Sequence, residues 1–356
     1  MEPMQLRKLQ MTGGASYTVS LPKNWVKQQG LKMGDVVSVL ERPDSSLTIA
    51  PHSKLPSGEE KASEITLTPT KEQERDEILR NLVAQYLAGY DVLRIRFPAS
   101  ARADVRTYLK EAARRMFVGA EIIEESKDEL IVQCISSYSD FPTPRVIARM
   151  SLIAKLMLRD AVDALRNRDR GLAEEVVKRD DEVDRFYLFI VRQLTLAVLS
   201  RSVIQQIGLS DPRDCLVYRV VSKGLERVAD HAAGIAKLSE TLRTNLPPRL
   251  ADELSKVSGL ASTILDDALK ALFRVDAPLA NKSIESAKTL VKEAEALTAR
   301  LFELKLDPQT VVALRMALES LKRTAEYSQD ISEMAINLTA RRQELFAYTP
   351  KKERTR

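Results

Sequence analysis

A chain of 356 residues, 44% hydrophobic and 29% charged, exceeds what one compact core accommodates and carries the apolar material for two or three domains. Its 55 basic and 50 acidic side chains leave a net charge of +5 with the signs interleaved, which fits a polyanionic partner without demanding one. Cys134 and Cys215 stand far apart with no CxxC, which argues against a disulfide framework or zinc ribbon and for a reducing cytoplasm. The longest apolar run, "FYLFIVRQLTLAVL", is interrupted by Arg192 and Gln193, so no membrane insertion is expected. The N-terminus lacks the apolar core of a signal peptide.

In chain order, residues 4–52 read as β-rich. "SYTVSLP" alternates in period two, "DVVSVLE" and "SLTIAP" follow, and a short helix "KNWVKQQG" sits between Pro22 and Gly30. Four short strands make too small a core for one copy. Residues 53–63, "SKLPSGEEKAS", have linker composition. Residues 64–140 alternate strand and helix and close on the pair "AEIIEES" and "ELIVQCI". This is a small α/β domain without phosphate-loop glycines, for which a dimerising or spacing role is expected.

From Pro142 the periodicity is helical, with segments expected over 144–167, 170–201, 211–242, 247–273, 278–305 and 307–343, and a basic tail over 344–356. An internal repeat is visible. "DPRDCLVYRVVSKGLERVADHAAGIAKL" from Asp211 matches "DPQTVVALRMALESLKRTAEYSQDISEM" from Asp307 in length and punctuation. Two three-helix units result, over 142–243 and 247–343.

Within the first unit, Asp180 and Asp184 lie one turn apart on one helix, and Glu226 and Asp230 on another. Residues so spaced share a face, and like charges there cost a few tenths of a kcal/mol each unless neutralised. Two readings satisfy this. Either the faces are solvated and balanced by Arg179, Arg185 and Arg227, or four carboxylates converge on a cation suited to oxygen donors. His231, about 100° round the helix from Asp230, flanks the face without sharing it.

The tandem unit, with D-x-x-x-D on its second helix and Asp211-Pro212-Arg213 and "LERVAD" on its third, resembles the PhoU family of phosphate-uptake regulators over residues 142–343. The resemblance implies a metal ion (Mg, Mn, Fe or Zn) held by Asp180, Asp184, Glu226 and Asp230. The second unit departs from the pattern: Lys322 stands where Glu226 does, and Ala287 and Val291 replace the first acidic pair. One site is therefore expected, not two.

Residues 4–52, through Gly14-Ala15-Ser16, "YTVSLP", the helix after Pro22 and "LKMGDVVSVL", resemble the AbrB/MazE-type swapped-hairpin domain. That resemblance implies a β-barrel built by a homodimer and an operator DNA contacted by Arg7, Lys8, Ser16, Tyr17, Ser20, Lys23 and Lys27. Ser20 stands where relatives often carry arginine, and Glu2, Asp35, Glu41 and Asp44 dilute the positive patch.

The fold class expected is multidomain and mainly α: a swapped-hairpin barrel, an α/β domain and tandem three-helix bundles. The function expected is a cytoplasmic, phosphate-responsive transcriptional regulator. The alternative is an adaptor that binds no DNA and docks on a phosphate transporter's ATPase or a sensor protein. His52 and His231 are the only histidines, neither stands beside a nucleophile, and no dinucleotide or phosphate-loop fingerprint occurs, so no enzyme is expected.

Overall fold

The computed structural model describes residues 6–13, 16–41, 47–52, 62–98, 103–134, 138–242 and 245–347. Most of the expected linker and tail lies outside these residues. The chain forms two compact units, residues 1–62 and 63–356.

The first unit contains strands β1 (Gln10–Thr12) and β2 (Ser16–Thr18), helix α1 (Lys23–Gln28), and strands β3 (Val37–Glu41) and β4 (Leu47–Pro51). β1 pairs antiparallel with β2 and β3 with β4, as two separate two-stranded sheets. The Gly34 turn, with φ 95°, feeds β3, and the Asp35 carboxylate accepts the Lys32 N–H at 2.7 Å to hold it. The expected barrel is one that two copies build; among the described residues a single copy closes no barrel, because each hairpin pairs only with itself. Apolar side chains therefore stay outside. Leu9, Met11, Tyr17, Val36, Val39 and Leu47 are all more than half exposed, and Pro51 is the only buried residue among those described in this unit.

The second unit opens with β5 (Glu64–Leu67), α2 (Arg75–Ala88), β6 (Val92–Arg96), α3 (Ala103–Met116), β7 (Ala120–Glu125) and β8 (Glu129–Cys134). The sheet order is β5-β6-β8-β7; β5 runs parallel to β6 and the other pairings are antiparallel. Alternation drives Leu93, Ile95, Leu130 and Val132 onto one face, where they meet Ile78, Leu82 and Tyr86 of α2 and Leu109 and Phe117 from α3 and its end. Leu188 of the helical region belongs to the same core, so the α/β segment is packed on the bundle.

Helices α4 (Thr143–Asn167), α5 (Arg170–Leu199), α6 (Arg201–Gln206) and α7 (Asp214–Lys237) form the first repeat. Helices α8 (Pro248–Arg274), α9 (Ala277–Leu301) and α10 (Pro308–Ala347) form the second. Their apolar faces merge into one continuous core. The expected 170–201 helix breaks at Ser200, whose φ of −135° and ψ of 123° are extended. A one-residue break followed by α6 leaves the apolar spacing unchanged, so periodicity alone misses it. The expected 211–242 helix is shorter, α7 ending in a 3-10 turn over Leu238–Glu240. Asp211 still organises its start, the carboxylate accepting the Arg213 N–H at 2.7 Å.

The repeats share a turn that residue identity hides. Arg168 (φ 52°) and Val275 (φ 55°) both adopt the left-handed conformation at a helix end. Asp169 and Asp276 then cap the next helix, accepting the N–H of Leu172 at 3.0 Å and Leu279 at 2.9 Å. No helix among the described residues is long and apolar enough to cross a membrane.

Candidate functional site

The register between α5 and α7 brings the two acidic pairs together. Asp184, Glu226 and Asp230 each place a carboxylate oxygen within 4.8 Å of the others. Asp180, one turn before Asp184 on α5, feels the same charges without joining that closest set. Its carboxyl is pushed up to about 7, first by burial, then by Asp184 and Asp230. Burial, then Glu226 and Asp230, push the Asp184 carboxyl up to about 6. Two oxygens are buried with no hydrogen-bond partner: Oδ1 of Asp180 and Oε2 of Glu226. The cluster is crowded with negative charge and short of donors.

The counter-charges available from sequence do little to relieve it. Arg179 turns to α4, bonding Asp160 at 2.5 Å and Glu175 at 3.3 Å. Arg185 pairs with none of the four acids and leaves its Nε buried without a partner. Only Arg227 reaches the group, at 3.9 Å from Glu226 and 3.6 Å from Asp230, from a half-exposed position. Two cations that spacing did not single out contribute more: Lys223 bonds Glu226 Oε1 at 2.5 Å, and Lys237 lowers the Asp180 carboxyl in part. His231, next after Asp230, turns toward α10. Its Nδ1 lies 3.3 Å from Ser320 Oγ on α10, and its ring lies against Tyr327.

In the second repeat Lys322 bonds Glu319 at 2.9 Å and Arg323 bonds Glu326 at 2.7 Å. Burial, then Glu333 and Glu326, raise the Asp330 carboxyl, but α9 brings no acidic pair opposite. The lysine already supplies the positive charge.

On the first unit, Arg7 and Lys8 precede β1, Ser16 and Tyr17 lie on β2, Ser20 follows it, and Lys23 and Lys27 lie on α1. All seven are exposed. Their exposure places them at the surface of the unit, and Tyr17, at 65% exposure, offers a ring as well as a hydroxyl.

Arg192 and Gln193, the two residues that break the apolar run of α5, are both fully buried. Arg192 donates to the Tyr86 carbonyl at 2.7 Å, lies 3.4 Å from Asp91 Oδ1, and stacks 5.0 Å over the Tyr86 ring. Gln193 accepts from Thr143 Oγ1 at 3.0 Å and donates to the Phe141 carbonyl at 2.7 Å. Near them Gly89, with φ 100°, ends α2 so close to α5 that a Cβ there would sit 2.7 Å from Leu196. These contacts bolt the α/β segment to the helix that carries Asp180 and Asp184. Two adjacent polar residues inside an apolar run were the available signal; alone they read only as an interruption.

Comparison with known proteins follows the same division. Residues 147–239, α4 to the turn after α7, match the PhoU domain, and residues 10–57 match the antidote-toxin recognition MazE family of bacterial antitoxins. A "phosphate-specific transport system accessory protein PhoU homolog" of Pseudomonas putida is 28% identical over 222 residues, 61% of this chain and 85% of that protein. The homolog so named in Pseudomonas aeruginosa is 28% identical over 198 residues, 54% of this chain and 80% of its own length. The crystal structure of the phosphate transport system regulatory protein PhoU from Streptococcus pneumoniae aligns at 22% identity with a TM-score of 0.48, over 55% of this chain and 92% of that one. The chain thus carries a PhoU domain over residues 147–239 and, nearer its N-terminus, a segment over 10–57 that matches the MazE antitoxin family.

Proposed function

We propose that this protein is a phosphate-responsive transcriptional regulator, a homodimer that grips operator DNA through its first unit and receives phosphate status through its helical repeats. The observation that carries this reading is the coreless first unit. Its strands expose apolar residues on a single copy, and a second copy interleaving its hairpins would cover them. The exposed Arg7, Lys8, Lys23 and Lys27, doubled by symmetry, would then contact phosphates, with Ser16, Tyr17 and Ser20 beside them. The relatives named as phosphate transport accessory proteins support a link to phosphate supply.

The residues of the acidic cluster fit a resident metal ion. Buried oxygens without a hydrogen-bond partner on Asp180 and Glu226 and raised carboxyls on Asp180 and Asp184 are what a removed positive charge would leave. The donor set is all oxygen, which suits Mg²⁺, Mn²⁺ or iron better than Zn²⁺, for which thiolate or imidazole ligands are usual. Asp184, Glu226 and Asp230 would ligate directly, and Asp180 would close the shell. Such an ion would neutralise the seam between α5 and α7, and its role would be structural or sensory.

Sedimentation of the full chain, beside capture assays with phosphate transporter ATPase and sensor proteins, tests the assignment. A dimer that shifts DNA supports the regulator. A dimer that captures a transporter component and leaves DNA unshifted makes the protein an adaptor instead.

A further inference from the structure

The turn between α4 and α5 differs from its counterpart in the second repeat in a way the repeat does not require. Val275 occupies the left-handed position there and packs its side chain against the core. Arg168 occupies it in the first repeat. A left-handed backbone is unfavourable for either side chain, where glycine or asparagine is the usual choice. Arg168 forms no ion pair or hydrogen bond through its side chain among the described residues, and its Nε is buried without a partner. Burying that Nε–H without an acceptor is costly, since the donor has lost water and gained nothing.

Arg168 is one of the residues lining a cavity of about 690 Å³ between the end of α7 and the start of α10. Leu238, Leu242, Val312, Ala313 and Met316 supply an apolar wall. Val312 and Met316 remain 56% and 50% exposed, so the wall is open to a ligand. The volume falls within the ~300–1,000 Å³ of small-molecule sites, which join an apolar lining to a few placed polar groups. Glu240, exposed at the rim, disfavours a second negative charge.

From this arrangement we infer that the cavity is a binding site for a small amphiphilic carboxylate, its head on Arg168 and its hydrocarbon body along Val312 and Met316. The guanidinium supplies a planar, two-pronged donor matched to a carboxylate, and the apolar wall suits a hydrocarbon body. The cavity shares no lining residue with the acidic cluster, and its assignment does not depend on the regulatory reading.

Decanoate and its uncharged analogue 1-decanol are the probes, titrated into full-length protein carrying ¹³C-methyl methionine, with the Met316 signal identified by Met316→Leu. Decanoate should move that signal saturably, with 1-decanol at least tenfold weaker. Arg168→Gly, which the positive φ favours, should keep the fold and abolish the preference for decanoate. No saturable shift at Met316, equal affinity for the two probes, or unchanged decanoate binding in Arg168→Gly would each overturn the assignment.

Discussion

Changing Asp184 to asparagine should stabilise the metal-free protein, although it deletes a charge from the site with the most obvious chemistry. The carboxylates of Asp184, Glu226 and Asp230 approach within 4.8 Å. At that distance and an effective dielectric of about 20, one like-charge pair costs ~3 kcal/mol. The Asp184 carboxyl, raised to about 6 from its ordinary value of 3.8, gives a similar ~3 kcal/mol by linkage. That carboxyl is incompletely buried, and Lys223 compensates part of the charge, so halving for solvent screening leaves ~1–2 kcal/mol. Asparagine keeps the shape and removes the repulsion. Scanning calorimetry with chelator at pH 7.5 should show Asp184→Asn melting roughly 2–5 °C above the native chain. Adding Mn²⁺ should reverse the order, raising the native melting point and moving the variant little. A variant that melts lower than the native chain without metal would show that Asp184 is satisfied by the protein alone, and the reasoning for a cation would fail.

Arg192→Ala should cost ~2–4 kcal/mol in urea unfolding, because it opens a cavity and leaves the Tyr86 carbonyl without its buried donor. It should also separate the melting of the α/β segment from that of the bundle, seen as a second transition by circular dichroism. Arg168→Gly should raise stability by ~0.5–1 kcal/mol through relief of its positive φ, measured the same way. Asp266, on α8, accepts from Lys155 of α4 and from Lys270, and those bonds hold its carboxyl below the usual range. A depressed carboxyl contributes stability that is present above its unfolded value and lost as pH falls through the folded one. Stability should therefore fall on the acid side of pH 4. Asp266→Asn should flatten that fall and cost ~0.5–1 kcal/mol at pH 7, the figure reduced because water screens a side chain about one-third exposed.

Much of the fold was legible because it rests on signals that a chain carries locally. The 3.6 period marked the long helices, the period-two stretch "SYTVSLP" marked β2, short apolar runs between turn residues marked the later strands, and the Asp-Pro openings at Asp211 and Asp307 exposed the repeat. The acidic pairs were legible too, since spacing alone puts Asp180 with Asp184 and Glu226 with Asp230. What spacing left open was whether the two faces meet, and the register of α5 against α7 answers that for the carboxylates. It also showed which cations approach: Lys223 and Lys237, while Arg179 turns away to Asp160. Three features were out of reach. The break at Ser200 leaves periodicity intact, the left-handed turns at Arg168 and Val275 carry no glycine, and the docking of the α/β segment depends on a buried Arg192 that composition rules place outside. The barrel expected from the first 52 residues is a property of two chains, and one copy shows only its two hairpins.

The central claim is that the first unit touches DNA and that phosphate signalling reaches it in the same chain. The most direct test is a salt titration of the full-length protein on DNA from its own upstream region, against scrambled DNA of equal length. Tighter binding to its own DNA is predicted, with affinity falling about as the fourth or fifth power of salt concentration if a dimer neutralises roughly five phosphates. Changing Arg7, Lys8 and Lys23 together to alanine should remove that preference while the protein stays dimeric. Equal affinity for both DNAs at low salt, or a preference untouched by the triple change, would contradict the account and leave the first unit as a dimer clamp.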